Sequence, residues 1–247
     1  VYNRPWHVQK AVEALQKNEL AKGSELFIFS DGPKNEEEKE KINRVREYIK
    51  TIDIFKNITI ILRSENFGIA KSIIHGVTQI VNKYGKVIVM EDDLVSSPYF
   101  LKFMNEALDF YERDDRVICI NAYLFPLKKA LPETFFLKGA DCQGWATWKR
   151  GWDLFEIDRS KLLKEIVSRK LQREFNYNNA YNYTKLLKDQ IAGKNDSWAI
   201  RWHASAFLAN KFTLYPCSSL LNNIGFDNSG ANSGYSNFFD VTVSDRA

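Results

Sequence analysis

Apolar residues along the first half of the chain recur at helical spacing in several segments. From Val8 to Leu15 they fall at i, i+3, i+4 and i+7, and Pro5 just before them suits the start of a helix. Ser97 and Pro98 are a suitable N-cap and first residue for a later helix. The pattern predicts further helices over residues 35–50, 69–82 and 98–112. The acidic run NEEEKEK at 35–41 is expected to be a solvated helix face.

Short runs that are apolar at every position separate these helices. They cover residues 26–29, 58–62, 86–90 and 116–120. Fully apolar strands that alternate with helices indicate a parallel sheet with helices on both faces. The predicted fold class is therefore α/β, with a Rossmann-like, mostly parallel central sheet flanked by helices.

The second half of the chain has a different character. Five of the six tryptophans lie there, all from Trp145 onward, among many tyrosines and asparagines. Helices are predicted near 158–172 and 177–193, and a strand near 212–215. We expect a single domain over 1–247, with a nucleotide-type half at 1–115 and a substrate-facing half at 116–247 built on the same sheet.

Composition and charge narrow the range of functions. The 247 residues are 45% hydrophobic, enough for a substantial core, and the net charge of +4 is mild. Lys and Arg are scattered without a DNA- or RNA-binding motif, so no nucleic-acid partner is expected. Three widely spaced cysteines without a CxxC argue against a zinc site or disulfide framework and favour a reducing compartment. No apolar segment has the length of a membrane span.

Three consecutive carboxylates, Glu91, Asp92 and Asp93, follow directly after the predicted strand at 86–90. Ligands of open α/β sheets bind beyond the carboxyl ends of the strands. Successive side chains point to opposite sides, so one acid can bind a divalent cation and its neighbour a sugar hydroxyl. Mn²⁺ or Mg²⁺ held by so few protein ligands would take its other ligands from a diphosphate and would bind together with it. The alternative is a solvated acidic turn before a helix.

Several segments resemble one enzyme family, in the right order along the chain. VIVMEDDLVSSPYF at 87–100 resembles the acidic motif of GT-A glycosyltransferases, in the form of the Golgi N-acetylglucosaminyltransferase I group and its bacterial relatives. YNRP at 2–5 is similar to that family's first strand–helix unit, and SDGP at 30–33 and SENFGIAKSI at 64–73 to its nucleotide pocket. QGWATWKRGW at 143–152 resembles a segment of bacterial family 2 glycosyltransferases.

The resemblance implies roles for the residues around the donor. Asp31 would bind the base, typically uracil; otherwise it is a turn residue before Gly-Pro. Within the acidic motif, Asp92 would bind the ribose, Asp93 the metal, and Glu91 would support both.

Further donor contacts would come from two segments. Asn3 and Arg4 would lie against the nucleotide, or serve only as a helix cap and a solvated side chain. Asn66, Gly68 and Lys71 would face the donor, with Gly allowing close backbone approach and Lys offsetting phosphate charge.

The resemblance also suggests a catalytic base, Asp196. Its segment, Lys194–Trp198, is similar to the family's WDDW-type segment, with Trp198 matching the second Trp. Asn195 and Ser197 depart from that pattern, and Asp196 as a helix N-cap is the competing interpretation. Asp141 and Asp153 are further candidates for the base.

Other residues of the second half have candidate roles. Trp145 and Trp198 are expected to contact the acceptor, whereas Trp148 and Trp152 have core spacing. His203 would complete the metal shell or be structural. Loop 225–234 would close over the donor or be a surface loop.

The expected activity is a metal-dependent, inverting transfer of a sugar from a UDP-sugar to a hydroxyl of a glycan or lipid-linked acceptor. Mn²⁺ (or Mg²⁺) is the expected cofactor. The expected setting is bacterial surface polysaccharide synthesis in the cytoplasm. Peripheral association with the inner face of the membrane stays open, and the Golgi lumen is the alternative location. A sugar nucleotidyltransferase is the second hypothesis, although YNRPW lacks its glycine-rich phosphate loop. A non-catalytic nucleotide- or carbohydrate-binding module is the third.

Overall fold

The computed structural model describes residues 1–127, 130–230 and 234–244. Its helices are α1 (Pro5–Gln16), α2 (Lys39–Ile49), α3 (Gly68–Tyr84), α4 (Phe100–Phe110), α5 (Lys149–Trp152), α6 (Arg159–Ser168), α7 (Gln172–Phe175), α8 (Tyr183–Ile191) and α9 (Trp198–Leu208). Its strands are β1 (Glu25–Ser30), β2 (Asn57–Leu62), β3 (Lys86–Val89), β4 (Leu94–Ser96), β5 (Val117–Asn121), β6 (Thr134–Lys138), β7 (Trp145–Trp148), β8 (Phe212–Pro216) and β9 (Leu221–Asn223). Among the described helices, none has the length and apolar character to cross a membrane.

The predicted elements of the first half are present, but two helices begin later than predicted. Helix α2 begins at Lys39 rather than at residue 35, because Glu36–Glu38 form a 3-10 turn. Helix α4 begins at Phe100 rather than at Pro98. The reason is the short strand β4, which pairs antiparallel with β9 immediately after the acidic residues. The Ser97 hydroxyl still accepts a hydrogen bond from the Tyr99 amide, at 3.2 Å. The chain thus turns away from the acidic residues as a strand before the helix starts.

The α/β class is confirmed, with helices flanking a central sheet of order β3–β7–β5–β8–β6. The expected parallel pairing holds for β5 with β8 and for β1 with β2. Three other pairs, β3–β7, β5–β7 and β6–β8, run antiparallel, which corrects the expectation of a mostly parallel sheet. These three antiparallel pairs of the central sheet all involve β6 or β7, two strands that the apolar pattern did not predict. The sheet joins strands from 1–115 and from 116–247.

An apolar cavity of about 500 Å³ is lined by both β1 and β3. In the described residues the two strands belong to different sheets and are not paired. At one end of β1, the amino group of Val1 donates to the Phe29 carbonyl at 2.8 Å, and the Asp31 amide donates to the Val1 carbonyl at 3.1 Å. Since the Tyr2 amide next contacts Asp92, this anchoring places the segment before α1 beside the end of β3.

Four tryptophans form the core between β7, α5 and α9. Trp145 is 1% exposed, and its ring centroid lies 5.4 Å from Trp198, 5.7 Å from Trp152 and 5.8 Å from Trp202. Trp198 is 3% exposed. The expectation that Trp145 and Trp198 contact the acceptor is therefore wrong. The inner strand β7 directs Trp145 into a layer that α9 covers, so both rings are core residues.

Replacing Trp145 should reduce stability. We expect Trp145→Ala to lower the free energy of unfolding by about 3–5 kcal/mol, because it removes a large buried ring and leaves a cavity. Trp6 is 55% exposed, so Trp6→Ala should change the free energy of unfolding by no more than about 0.5 kcal/mol. Denaturant unfolding of both variants measures the difference. Equal losses would contradict the core assignment.

Candidate functional site

The acidic residues after β3 share one guanidinium. Arg4 is the N-cap residue of α1, and its Nη2 lies 2.5 Å from Asp92 Oδ1 and 2.9 Å from Asp93 Oδ2. The three side chains are 17%, 9% and 13% exposed, respectively. The second Asp92 oxygen accepts a hydrogen bond from the Tyr2 amide at 3.2 Å. The start of α1 and the end of β3 are therefore held together by buried charge.

The protonation of the three acids differs with their surroundings. Burial raises the pKa of Glu91 to about 8, and the charges of Asp93 and Asp92 add to the effect. Burial also raises the pKa of Asp93, despite Arg4. For Asp92, burial alone would raise the pKa. The positive charges of the Val1 amino group and of the Arg4 guanidinium outweigh burial, so the pKa of Asp92 is lowered. The two aspartates thus share the guanidinium of Arg4, although their pKa values are shifted in opposite net directions.

This carboxylate pair fits a hard divalent cation. Its oxygens already hold one positive group in a partly enclosed position, and carboxylates are the ligands that Mg²⁺ and Mn²⁺ prefer. No cluster of three or more His, Cys, Asp or Glu with metal-binding geometry occurs in the described residues. A cation at this pair would thus take its remaining ligands from water or from a bound phosphate.

A glycine packs against Asp93 from the C-terminal part of the chain. A Cβ atom added at Gly225 would clash with the carboxylate of Asp93. The preceding amide, that of Ile224, donates to the backbone carbonyl of Asp93 at 2.9 Å. Further along, Asp227 Oδ2 lies 3.0 Å from Nε2 of the buried His7. Gly225, the first residue of the predicted loop 225–234, therefore lies against the acidic site, and Asp227 lies against α1. Residues 231–233 are outside the described residues.

Asp31 lies at the carboxyl end of β1 and holds the start of α3. Its oxygens accept from the amides of Phe67 at 2.9 Å and Gly68 at 3.0 Å. Gly68 has φ +70°, a left-handed conformation that favours glycine. Apart from its chain neighbours and its own helix backbone, no described atom lies within 4 Å of where its side chain would begin. Asn66 donates to the Gly32 carbonyl at 2.9 Å. The structure thus brings together the two segments that the resemblance assigned to the nucleotide pocket.

Asn3 lies at a second wall of this region. Its amide donates to Glu38 Oε1 at 3.1 Å, and the Tyr2 hydroxyl also hydrogen-bonds Glu38. Glu38 belongs to the acidic run that was expected to be solvated. The sequence offered no local signal for this contact, because the partners are far apart along the chain and meet only through the fold.

Asp196 lies in a cavity of about 490 Å³ that it shares with Lys71 of α3. Ser197, not Asp196, is the N-cap of α9: its hydroxyl accepts from the Ile200 amide at 3.3 Å. The competing interpretation of Asp196 as a helix cap is therefore wrong. Its carboxylate is 70% exposed and lies 3.4 Å from Nη2 of Arg201. Within the described residues, no hydrogen bond or ion pair joins Asp196 to the acidic site.

The other acids considered as bases are more fully engaged. Asp141 accepts hydrogen bonds from the Tyr215 hydroxyl at 2.9 Å and the Cys142 amide at 2.6 Å. Asp153 forms an exposed ion pair with Lys149 at 2.7 Å.

His203 is placed in the core. Its Nδ1 lies 3.1 Å from the Ala140 carbonyl, and its ring stacks on Phe175 with centroids 5.1 Å apart. Burial lowers its pKa, which favours the neutral imidazole. These contacts support the structural interpretation of His203 rather than a place in a metal shell.

Comparison with known proteins identifies one family model and a similar solved structure. The family model described as "Glycosyl transferase family 2" matches residues 1–148. Among solved structures, the chain is similar to the mannosyltransferase PcManGT from Pyrobaculum calidifontis, in complex with GDP-Man and Mn²⁺. The identity is 10% and the TM-score 0.41, over 84% of this chain and 67% of that one. This likeness is too distant to assign a donor or a metal. No curated protein matches the chain.

Removing the Arg4 guanidinium should expose the charge of the acidic pair. We expect Arg4→Met to destabilise the metal-free protein by about 3–5 kcal/mol, because two buried carboxylates lose their counter-charge. Mn²⁺ should then raise the melting temperature of the variant more than that of the wild type, where Arg4 competes for the same oxygens. Thermal unfolding with and without Mn²⁺ measures both effects.

Arg116→Met is the matched control, because Arg116 is 80% exposed and pairs with Asp114 at the surface. Its stability loss should stay below about 1 kcal/mol, with no change in the Mn²⁺ response. An equal Mn²⁺ response in the wild type and the Arg4 variant would show that Arg4 does not compete with the cation.

Proposed function

Because the chain belongs to glycosyl transferase family 2, we propose that it moves a sugar from a UDP-sugar to a hydroxyl of a glycan or lipid-linked acceptor, with Mn²⁺ or Mg²⁺. The observation that carries this proposal is the buried carboxylate pair at the end of β3, which shares one cation and contacts Gly225. Such a pair at the carboxyl edge of an α/β sheet suits a ligand that brings a metal and a diphosphate.

Asp93, with Asp92 beside it, would hold the cation. When bound there, a divalent cation would supply positive charge against the negative charge that develops on the departing nucleoside diphosphate. Asp92 is proposed to bind the ribose, and Glu91 supports the two aspartates. The raised pKa of Glu91 favours its protonated form at neutral pH, so Glu91 can donate a hydrogen bond rather than add a third negative charge.

The remaining donor contacts are proposed along the ends of β1 and α3. Asp31 and Asn66 lie on adjoining segments there, and Asn3 lies before α1. Gly68 keeps the backbone open at the start of α3, since, apart from its chain neighbours and its own helix backbone, none of the described residues approaches within 4 Å of its missing Cβ position. Arg4 can turn from the acidic pair to a phosphate when a metal takes its place.

Asp196 is the proposed catalytic base. In an inverting transfer, a carboxylate removes the proton of the acceptor hydroxyl while the oxygen attacks the anomeric carbon opposite the leaving diphosphate. Asp196 suits this role because its carboxylate is exposed in a cavity and does not cap α9. The proposed setting is bacterial surface polysaccharide synthesis in the cytoplasm, supported by three free cysteines in the described chain.

Asp93→Asn should remove the dependence of nucleotide binding on metal. We expect Mn²⁺ to tighten UDP binding to the wild type, and this gain to fall by about tenfold or more in the variant, because a carboxylate ligand is lost. Calorimetric titration of UDP and GDP with and without Mn²⁺ measures it, with Asp109→Asn as an exposed control.

Three outcomes separate the candidate activities. Sugar transfer or slow UDP-sugar hydrolysis supports the transferase. Pyrophosphate release from a nucleoside triphosphate would indicate a nucleotidyltransferase. Nucleotide binding without turnover would indicate a binding module. If UDP-, GDP- and dTDP-sugars all fail to bind with Mn²⁺ present, the proposed function is wrong.

Asp196→Asn tests the base. We expect kcat to fall by about two to four orders of magnitude while nucleotide affinity stays near that of the wild type, because only proton transfer is lost. Asp153→Asn, which removes an exposed acid paired with Lys149, should leave kcat nearly unchanged. Asp141→Asn serves as the competing candidate. If Asp196→Asn keeps full activity and Asp141→Asn loses most of its activity, Asp141 is the base instead of Asp196.

A further inference from the structure

A second cavity lies between α3 and the start of α9. It has a volume of about 490 Å³, and its lining includes Lys71, His75, Gln79, Ile157, Asp196 and Arg201. The α3 residues Lys71, His75 and Gln79 are exposed on its rim, whereas Arg201 is 5% exposed. A buried guanidinium thus borders an open cavity.

Arg201 has less compensation than a buried charge requires. Its Nε is buried without a hydrogen-bond partner in the described part of the chain. Its charge partner is Asp196, whose oxygen is 3.4 Å away and whose side chain is 70% exposed. An ion pair of this length to a solvated carboxylate is weak. A buried cation with an unsatisfied donor is costly unless an anion or further acceptor reaches it.

The other charges near the cavity are mostly positive. Lys71 lines it, with Nζ 4.0 Å from the centroid of the Phe67 ring. Arg159 is close enough to act on Arg201 electrostatically, in the direction opposite to Asp196. Among the described residues that line the cavity, Lys71 and Arg201 are cationic and Asp196 is the one carboxylate. The field inside the cavity therefore favours an anion.

We propose that this cavity binds an anionic group, a phosphate or a carboxylate, on the acceptor, with Arg201 as its buried anchor and Lys71 at its rim. A guanidinium donates in a planar fork that matches the oxygens of either group. The assignment to the acceptor rests on the proposed function, since Asp196, the proposed base, lines the same cavity. The acceptor is then a charged glycan or a phosphate-linked one rather than a neutral sugar.

Titration with inorganic phosphate tests the binding directly. The Nε–H resonance of Arg201 in a nitrogen–proton correlation spectrum is identified by its loss in Arg201→Gln. With UDP and Mg²⁺ present to occupy the donor site, phosphate should shift this resonance. Affinity for phosphate should fall by about tenfold or more in Arg201→Gln, because the buried charged donor is lost. An Nε–H resonance that does not respond to phosphate would overturn the proposal.

A surface variant keeps the test valid if Arg201→Gln does not fold. Gln79→Glu places a carboxylate on the exposed rim of the cavity without changing side-chain shape, and should weaken phosphate binding by about threefold to tenfold. Asn82→Asp adds the same charge on the same helix at an exposed residue that does not line the cavity. Equal weakening by both variants would mean that phosphate binds elsewhere.

Two further probes distinguish the sources of the anion. If glucuronate shifts the Arg201 resonance more strongly than phosphate does, the acceptor carries a carboxylate. If phosphate shifts it more strongly, the acceptor is phosphate-linked. Either result supports the site. In a transfer assay, phosphate should raise KM for the acceptor without changing KM for the donor. An unchanged acceptor KM in an enzyme that still transfers sugar would overturn this inference while leaving the proposed function standing.

Discussion

The bridge from Arg4 to Asp92 and Asp93 is the interaction on which the geometry of the site depends. A buried carboxylate pair would be strongly destabilising without a counter-charge. Arg4 supplies that charge only because the amino-terminal segment is held on β1 through Val1 and on Asp92 through the Tyr2 amide. Gly225 closes the same position from the other end of the chain. Distant parts of the sequence therefore meet at one ion cluster.

The charge of a second buried acid, Asp31, is also compensated by its neighbours. Asp31 is 6% exposed, and its carboxylate is satisfied by the amides of Phe67 and Gly68 at the positive end of α3. A base-binding role for Asp31 must then use lone pairs that these amides leave open. Arg201 is the opposite case, because its buried guanidinium is incompletely satisfied by the described part of the chain. The carboxylate of Asp31 is thus satisfied within the described chain, whereas the guanidinium of Arg201 is not.

Local periodicity allowed much of the first half to be predicted. The helices α1 to α3 and the strands β1, β2, β3 and β5 follow from spacing alone, and the acidic residues could be placed because they follow an apolar strand. Strand β7 could not be predicted in this way, because WATW is short and rich in tryptophan, and its rings suggested contacts with a substrate. Its inner position became evident only from its pairing with both β3 and β5.

The parts of the site that the sequence did not predict are contacts between distant residues. Glu38 lies in an acidic run whose composition is that of a solvated surface, yet it binds Asn3 and Tyr2. Gly225 lies in a segment whose composition is that of a loop, yet it packs against Asp93. Neither contact leaves a periodic pattern, because each depends on one residue meeting a partner far along the chain.

The ion cluster also affects how a metal ion and a diphosphate would bind at the proposed site. A diphosphate alone is repelled by two carboxylates that share one cation, and a metal ion alone must compete with Arg4 for the same oxygens. If both bound at the proposed site, the aspartates would hold the metal in place of Arg4, and the guanidinium of Arg4 would be free to pair with a phosphate oxygen. Each ligand would then remove the penalty that opposes the other. By thermodynamic reciprocity, metal and nucleotide would strengthen each other's binding by the same factor.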